Sequence, residues 1–323
     1  MTETKPPGGA SLYRGPSRSP RDKRERERDR AREHEHERHR DSGREHATGA
    51  RVQSGKPASR PPLRERVAAA QSSPVASPSE QRIHGLNACL ALFAKRPEAL
   101  RKVWLLESRI PHLKPVLAHC VKHRLGYSVV EAEDLEKLSG SAHHEGVVFG
   151  ALAAPELSLS QWLQELHAGP QIAVWLDGVG NPHNLGAILR NAAHFGVAGV
   201  MLPKDSALAL SGAAIRVAEG GAEAVPMVRL GRSDNAIAQL ASAGFVMAAT
   251  VVRGGRELYS TALPERLLLV MGAEQVGVDA ELLKAAKLKL AIPGSGAVDS
   301  LNVASATAVM LGEWWRQRKT AAH

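Results

Sequence analysis

The chain has 323 residues, with 42 Lys+Arg against 33 Asp+Glu, a formal charge of +9, and 43% apolar residues. That length suits about two domains with real cores. Its two cysteines, Cys89 and Cys120, lie in neither a CxxC pair nor a metal-ligand spacing, which excludes a cystine-stapled secreted protein. No run of about 18 uncharged apolar residues occurs, so no transmembrane helix is expected, and the polar stretch Met1–Ala10 lacks the apolar centre of a secretory signal. A cytoplasmic protein is the expectation.

The charge is uneven. Residues 1–80 hold 18 Lys+Arg and 12 Asp+Glu, a net +6, which leaves 24 minus 21, or +3, for the other 243. From Arg21 to Arg40, Arg alternates with Asp, Glu and His, and Ala31 is the only apolar residue. Such a stretch buries too little surface to offset its ordering entropy, and the flanks, with Pro16, Pro20, Pro57, Pro61 and Pro62, read as linker. Residues 1–80 are therefore expected to be a disordered, mixed-charge tail. His34, His36 and His39 with Glu35 and Glu37 are metal-ligand types, but a solvated tail accounts for them and no metal site is assigned. The arginines add salt-sensitive attraction to phosphate, weakened by the interleaved acids.

A first folded unit is expected over 82–153. Gly85–Lys95 has helical apolar spacing at Leu86, Leu90 and Phe93. Arg101–Leu106 reads as a strand, Leu113–His123 as a helix, Gly126–Val130 as a strand, Glu133–Leu138 as a short helix and Gly146–Leu152 as a strand. This alternation predicts a small α/β sandwich. Its aromatics (Phe93, Trp104, Tyr127, Phe149) fall mostly in elements read as core, so stacking of bases on them is not expected. Residues 154–170 read as a connection. Beyond it come continuous apolar runs at Ile172–Leu176, Val197–Leu202, Phe245–Thr250, Leu267–Met271 and Leu288–Ile292, divided by helical stretches. That is the pattern of a parallel sheet covered on both faces.

Ligands of open α/β sheets bind outside the carboxyl ends of the strands, and three loops there are rich in Gly, Asn, Glu and Ser. The first, Asp177-Gly-Val-Gly-Asn-Pro-His-Asn184, has Gly178 and Gly180, but His183 stands where a dinucleotide fingerprint needs its third glycine, and Leu202-Pro203-Lys204 replaces the acidic residue expected after a second strand. A nicotinamide oxidoreductase is disfavoured on that ground. The helix that follows has an apolar stripe of Leu185, Ile188, Leu189 and Ala192, with Asn184 near its N-terminal end and Arg190 about 9 Å further along. A helix N-terminus and an Arg suit an anion, whereas the plain alternative is an N-cap and a surface charge. The second loop, Gly272-Ala-Glu-Gln-Val-Gly277, sets Glu274 beside a close-approach glycine. The third, Ile292-Pro-Gly-Ser-Gly-Ala-Val-Asp-Ser-Leu-Asn302, leads into a helix ending near Arg318, which Ser300 or Asn302 can cap. That helix is apolar on two stripes, Val303, Ala306, Met310 and Trp314 on one and Ala304, Ala308, Leu311 and Trp315 on the other. Such a surface must be buried or paired.

Taken in order, NPHNLGAILR, GAEQVG and IPGSGAVDSLNVASA resemble the three motifs of the SpoU (TrmH-type) RNA 2′-O-ribose methyltransferases of the SPOUT superfamily, over residues 171–318. HGLNACLALFAKRPEALRKVWL and HHEGVVFGALA resemble the substrate-binding domain that many of these enzymes carry. The resemblance implies an α/β fold with a parallel sheet and a C-terminal trefoil knot, S-adenosylmethionine as cofactor, rRNA or tRNA as partner, and a homodimer through the C-terminal helix. By motif position it assigns cofactor contacts to Thr250, Gly272, Ile292 and Leu301. It assigns catalysis, substrate positioning and support of the knot to Asn184, Arg190, Glu274, Ser300 and Asn302, with Gly186 a close-approach glycine between them. The implied reaction is attack of a ribose 2′ oxygen on the sulfonium methyl. Since a guanidinium stays charged, Arg190 suits gripping phosphate and stabilising developing alkoxide better than proton abstraction. The sequence departs from the family pattern at Gly294, where a Met is usual, at Ala304, where a Ser is usual, and over Arg216–Ala222. The competing expectation is an RNA-binding or assembly protein of the same fold without turnover, against which stands the presence of every polar motif residue.

Overall fold

The computed structural model describes residues 79–321. The expected tail, except Ser79 and Glu80, and the His34–His39 cluster lie outside the described residues. The first unit runs β1 (Glu80–His84), α1 (Leu86–Lys95), β2 (Leu100–Leu105), α2 (Ile110–His123), β3 (Gly126–Val129), α3 (Ala132–Ser139) and β4 (Val147–Leu152). Its sheet has the order β1-β4-β2-β3, with β2 and β3 parallel and the other neighbours antiparallel. Ile83, Val103, Leu105, Phe149 and Ala151 pack with Ala88, Cys89 and Leu92 of α1 and Leu113, Val116 and Cys120 of α2. The sheet includes β1, whose EQRIH sequence shows one apolar residue and no readable alternation.

The second unit is one eight-stranded sheet. Its elements are β5 (Leu157–Ser158), α4 (Leu159–Gln164), β6 (Gln171–Asp177), α5 (Pro182–Phe195), β7 (Gly199–Leu202), α6 (Gly212–Ala218), α7 (Gly221–Ala224), β8 (Met227–Arg229), α8 (Ser233–Ser242), β9 (Val246–Thr250), β10 (Arg256–Glu257), β11 (Arg266–Gly272), α9 (Ala280–Ala285), β12 (Leu288–Ala291) and α10 (Val303–Ala321). The strand order is β10-β12-β9-β11-β6-β7-β8-β5, and every pair is parallel. Alternate residues of the central strands serve two cores, Ile172, Val174, Leu267 and Leu269 on one face and Ala173, Trp175, Leu268 and Val270 on the other. That is why the runs are continuously apolar.

Residues 154–170 are more than a connection. β5 pairs with β8 at the sheet edge, Ser158 and Gln161 form a capping box on α4, and the buried Trp162 donates its Nε1–H to Ala198 O at 2.8 Å. A two-residue strand is too short to show a period, so the sequence pattern missed it.

The two units pack in and around the segment that departs from the family pattern. Arg96 of α1 makes a bidentate pair with Glu223 of α7, both bonds 2.7 Å, and Asn87 Nδ2 donates to Glu219 Oε2 at 2.6 Å. Gly85 lies on the Arg216 side chain, and Gly212 lies on the Arg82 carbonyl.

His84 is buried at this junction, and neither ring nitrogen has a hydrogen-bond partner among the described residues. Burial, followed by the positive Arg216 and by His144, holds its pKa below the ordinary 6.5, opposed by Glu145. The unfolded chain therefore binds the His84 proton more readily, and stability is lost as pH falls from about 6.5 through the folded-state value. Between pH 7.5 and 5.5 the urea midpoint of the unaltered chain should drop more than that of His84→Gln. Equal drops would show that His84 is not the titrating group.

Candidate active site

Because all strands run the same way, the carboxyl ends of the neighbouring strands β12, β9, β11 and β6 open on one edge. The loop after β6 turns through Gly178, at φ 69°, with Val179 buried beneath it. Asn181 caps α5 by accepting the His183 N–H at 2.9 Å, and Pro182 occupies the first helical position. Asn184 is thus released from capping and sits in the first turn of α5.

Asn184 meets the other two loops in a compact polar network. Its Nδ2 donates to Glu274 Oε1 at 3.1 Å, and its Oδ1 accepts from Asn302 Nδ2 at 3.1 Å. Asn302 Nδ2 also donates to Glu274 Oε1 at 2.8 Å, while its Oδ1 accepts the Ala304 N–H at 2.9 Å and so caps α10. The Val303 N–H, at the positive end of that helix, points at the same carboxylate oxygen at 3.4 Å. Three side chains expected from separate motifs are joined here. Asn302 is a cap and a donor at once.

The turn that presents Glu274 depends on two glycines. A Cβ on Gly272 would collide with the Gly277 backbone, Gly277 stands at φ 79°, and its N–H closes the turn onto Ala273 O at 2.8 Å. Asp177, which the sequence reading passed over, ties the end of this turn back to β6 by accepting the Asp279 N–H at 2.7 Å. Burial pushes the Asp177 carboxyl above the usual carboxylate range; the Asp279 N–H opposes this, and the charges of Asp279 and Asp205 add to it. An Asp ending a buried strand just before Gly-x-Gly was the available signal.

Below the network lies a cleft of about 940 Å³ walled by the chain of three loops, Thr250–Gly255, Met271–Gly277 and Ala291–Gly296, with Val298–Leu301 and Met310 of α10. Thr250, Gly272, Ile292 and Leu301, the four residues assigned to the cofactor, all line it, as do Glu274 and Ser300. The Thr250 hydroxyl donates to Val270 O at 3.1 Å. Val276 and Val298, 87% and 72% exposed, line the cleft as uncovered apolar surface.

Two assigned residues stand apart. Arg190 is exposed on α5, outside the cleft lining, and among the described residues makes no hydrogen bond or ion pair. Ser300 likewise makes no hydrogen bond among the described residues, so it lines the cleft without joining the network. Gly186 is a close-approach glycine: a Cβ there would strike the Ala214 carbonyl and Val217, so it lets α5 lie tight on α6.

A parallel α/β sheet with a glycine-walled cleft at its carboxyl edge, closed by a C-terminal helix, defines the class of protein. Residues 171–312 match the SpoU rRNA Methylase family, and residues 82–156 match the RNA 2′-O ribose methyltransferase substrate binding family. The chain is 42% identical over 241 residues, 74% of this chain and 69% of the relative, to a protein of Escherichia coli O157:H7 named as an uncharacterized tRNA/rRNA methyltransferase, YfiF. It is 34% identical over 245 residues, 74% of this chain and 97% of the relative, to the 23S rRNA (guanosine-2′-O-)-methyltransferase RlmB of Pseudomonas putida. Among solved structures it resembles the AdoMet-bound rRNA methyltransferase of Sinorhizobium meliloti, with 26% identity, a TM-score of 0.61 and coverage of 73% of this chain and 87% of the other. The chain belongs to the SpoU rRNA methylase family.

Asn302 separates structural support from function. Asn302→Ala removes the α10 cap and should cost about 1 kcal/mol of stability, seen as a lower urea midpoint. Asn302→Asp keeps an acceptor for the Ala304 N–H but sets a second carboxylate beside Glu274. Its stability should fall too, through repulsion of two adjacent carboxylates, and S-adenosylmethionine binding in a calorimetric titration should weaken more than in Asn302→Ala. Unchanged affinity in Asn302→Asp would detach the network from the cleft.

Proposed function

We propose that this site binds S-adenosylmethionine and methylates a ribose 2′-hydroxyl of rRNA or tRNA. The chain is an RNA (ribose-2′-O)-methyltransferase. The observation that carries this reading is the joining of Asn184, Glu274 and Asn302, one residue from each motif, over the cleft that all four cofactor positions line.

The residues present fit the cofactor. The cleft volume lies in the usual range of about 300–1,000 Å³ for ligand sites. Its walls offer main-chain N–H and C=O groups from three loops for a purine and ribose, and Ile292, Leu301 and Met310 supply apolar surface. When bound, S-adenosylmethionine supplies an activated methyl that passes to the 2′ oxygen as its bond to sulfur breaks. Thr250, Gly272, Ile292 and Leu301 hold the adenosine side mainly through backbone, which is why small and apolar residues serve. Glu274, its Oε1 occupied by N–H donors, fixes the two asparagines against the loop and keeps the cleft in one shape. Arg190, without a hydrogen bond or ion pair among the described residues, grips the target phosphate and stabilises negative charge developing on the 2′ oxygen.

The same reading includes the trefoil knot and the homodimer. The knot is supported by the path of the chain, which leaves β11, adds β12 beyond β9, and returns past the cleft so that α10 packs on α5. The dimer is supported by α10. Its Val303, Met310, Leu311 and Trp314 are buried in this chain, yet Trp315 is 40% exposed with Lys319 Nζ 4.5 Å from its ring centre. The cytoplasm is the proposed location; no helix of the described residues is long and apolar enough to cross a membrane.

Mapping of ribose methyl groups across rRNA and tRNA, with and without this chain, should reveal a nucleotide that loses its methyl and regains it on add-back. Arg190→Lys should restore part of the methylation, and Arg190→Ala about 100-fold less or none. Full turnover in Arg190→Ala would remove Arg190 from the reaction. If no site changes in any growth condition, the reading gives way to an RNA-binding protein without turnover. In sedimentation equilibrium the unaltered chain should run as a dimer and Trp315→Glu should shift toward monomer; an unaltered chain that is monomeric would refute the interface.

A further inference from the structure

The methyl-transfer site does not use the outer face of the first sheet. Alternation along the strands puts Ile83, Val103 and Phe149 into the helix-covered core and Arg82, Lys102, Trp104 and Gly150 onto the opposite face. In the pairing register, Arg82 and Lys102 both stand opposite Gly150, one from each side, and Trp104 is opposite Val148.

Gly150 decides what happens there. A Cβ at that position would lie 2.5 Å from Arg82 Nη1 and 3.3 Å from Trp104 Cζ3. Its absence lets guanidinium and indole lie together over the strand. The Arg82 guanidinium carbon is 4.3 Å from the Trp104 ring centre, and Lys102 Nζ is 4.9 Å from the same centre. Trp104 is only half-buried and Lys102 is exposed, so Trp104 is among the aromatics that lie outside the core. Among the described residues neither cation forms an ion pair or hydrogen bond, and Glu80, on the same face of β1, pairs with neither.

The geometry points to a docking site for a single-stranded segment of the substrate RNA on Arg82, Trp104 and Lys102, with one base stacked on the Arg–Trp surface and its flanking phosphates on the two cations. This rests on the RNA reading of the chain. Single strands are recognised by stacking on aromatic and guanidinium planes beside positive charge. A guanidinium lying on an aromatic ring keeps its N–H edge free for a phosphate. An acidic peptide would satisfy the cations but leave the indole without a function. The site is held at a fixed place relative to the cleft, since Gly212 of α6 packs on the Arg82 carbonyl and Gly186 of α5 packs on α6. A base held here therefore helps choose which ribose reaches the catalytic edge.

The test is equilibrium binding of the full chain to a labelled single-stranded 12-mer RNA and to its duplex over a range of salt. Trp104→Ala should weaken single-strand binding about 5- to 150-fold, with Trp104→Phe close to the unaltered chain and duplex binding unchanged. Arg82→Gln and Lys102→Gln should each lower the salt slope by about 0.7, one phosphate's worth. S-adenosylmethionine affinity and the urea midpoint, measured on every variant, should both stay unchanged, the first reporting on the cleft and the second on the fold of the first unit. Single-strand binding indifferent to Trp104, by a chain that still binds and methylates RNA, overturns the platform alone. Cofactor binding without any RNA binding by the unaltered chain overturns the RNA reading and the platform with it. Capture of an acidic peptide that depends on Arg82 and Lys102, with RNA indifferent to both, overturns the assignment in favour of a protein partner.

Discussion

One carboxylate oxygen organises the functional edge of this protein. Oε1 of Glu274 takes N–H groups from Asn184 in the first turn of α5, from Asn302 at the cap of α10, and from the backbone at Val303. Charge-assisted bonds of this kind are stronger than neutral ones, and here they join positions 90 and 28 residues from Glu274 in the chain. The arrangement requires the parallel sheet. Only because β6, β9, β11 and β12 end on the same edge can three loops separated by whole helices meet at one oxygen.

The turn carrying Glu274 is tied at both of its ends. Gly272 accepts the Gly277 backbone where any side chain would clash, and Asp177 holds the exit of the turn at Asp279. The cleft wall is therefore mostly main chain, fixed by neighbours rather than by its own side chains. Apolar residues at Val276, Val298 and Leu301 are left facing solvent at its rim, a surface suited to being covered by a ligand.

The packing of the first unit on the second follows a different logic. The Arg96–Glu223 pair, with Glu223 only 5% exposed, pays a desolvation cost close to its attraction, so its worth lies in orientation more than in stability. Together with Asn87–Glu219 and the glycine contacts at Gly85 and Gly212 it holds the first unit against α6 and α7. The segment Arg216–Ala222, which departs from the family pattern, is the surface on which this happens. Its departure leaves the network of Asn184, Glu274 and Asn302 intact.

Much of the fold was legible because its signals are local. The strands β6, β7, β9, β11 and β12 show as short continuous apolar runs, and the stripes of α1 and α5 follow a period of 3.6 residues. β1, β5 and β8 were not legible, because two to five residues of mixed polarity show no period until a neighbouring strand supplies their hydrogen bonds. The site was legible as residue types in an order, and Asn184, Glu274 and Asn302 do meet. Two assignments needed three dimensions: Gly186 serves helix packing, and Arg190 lies outside the cleft. The exposure of Trp104 was not legible because strand alternation does not say which face has helices on it. What the sequence by itself determined was the order of apolar segments, the turn and cap residues and the chemical types available at each loop, since these depend on neighbours a few positions away. Only the tertiary structure decided which groups share an oxygen, which helix covers which face and where charge is left unpaired, since those depend on contacts between residues a hundred positions apart.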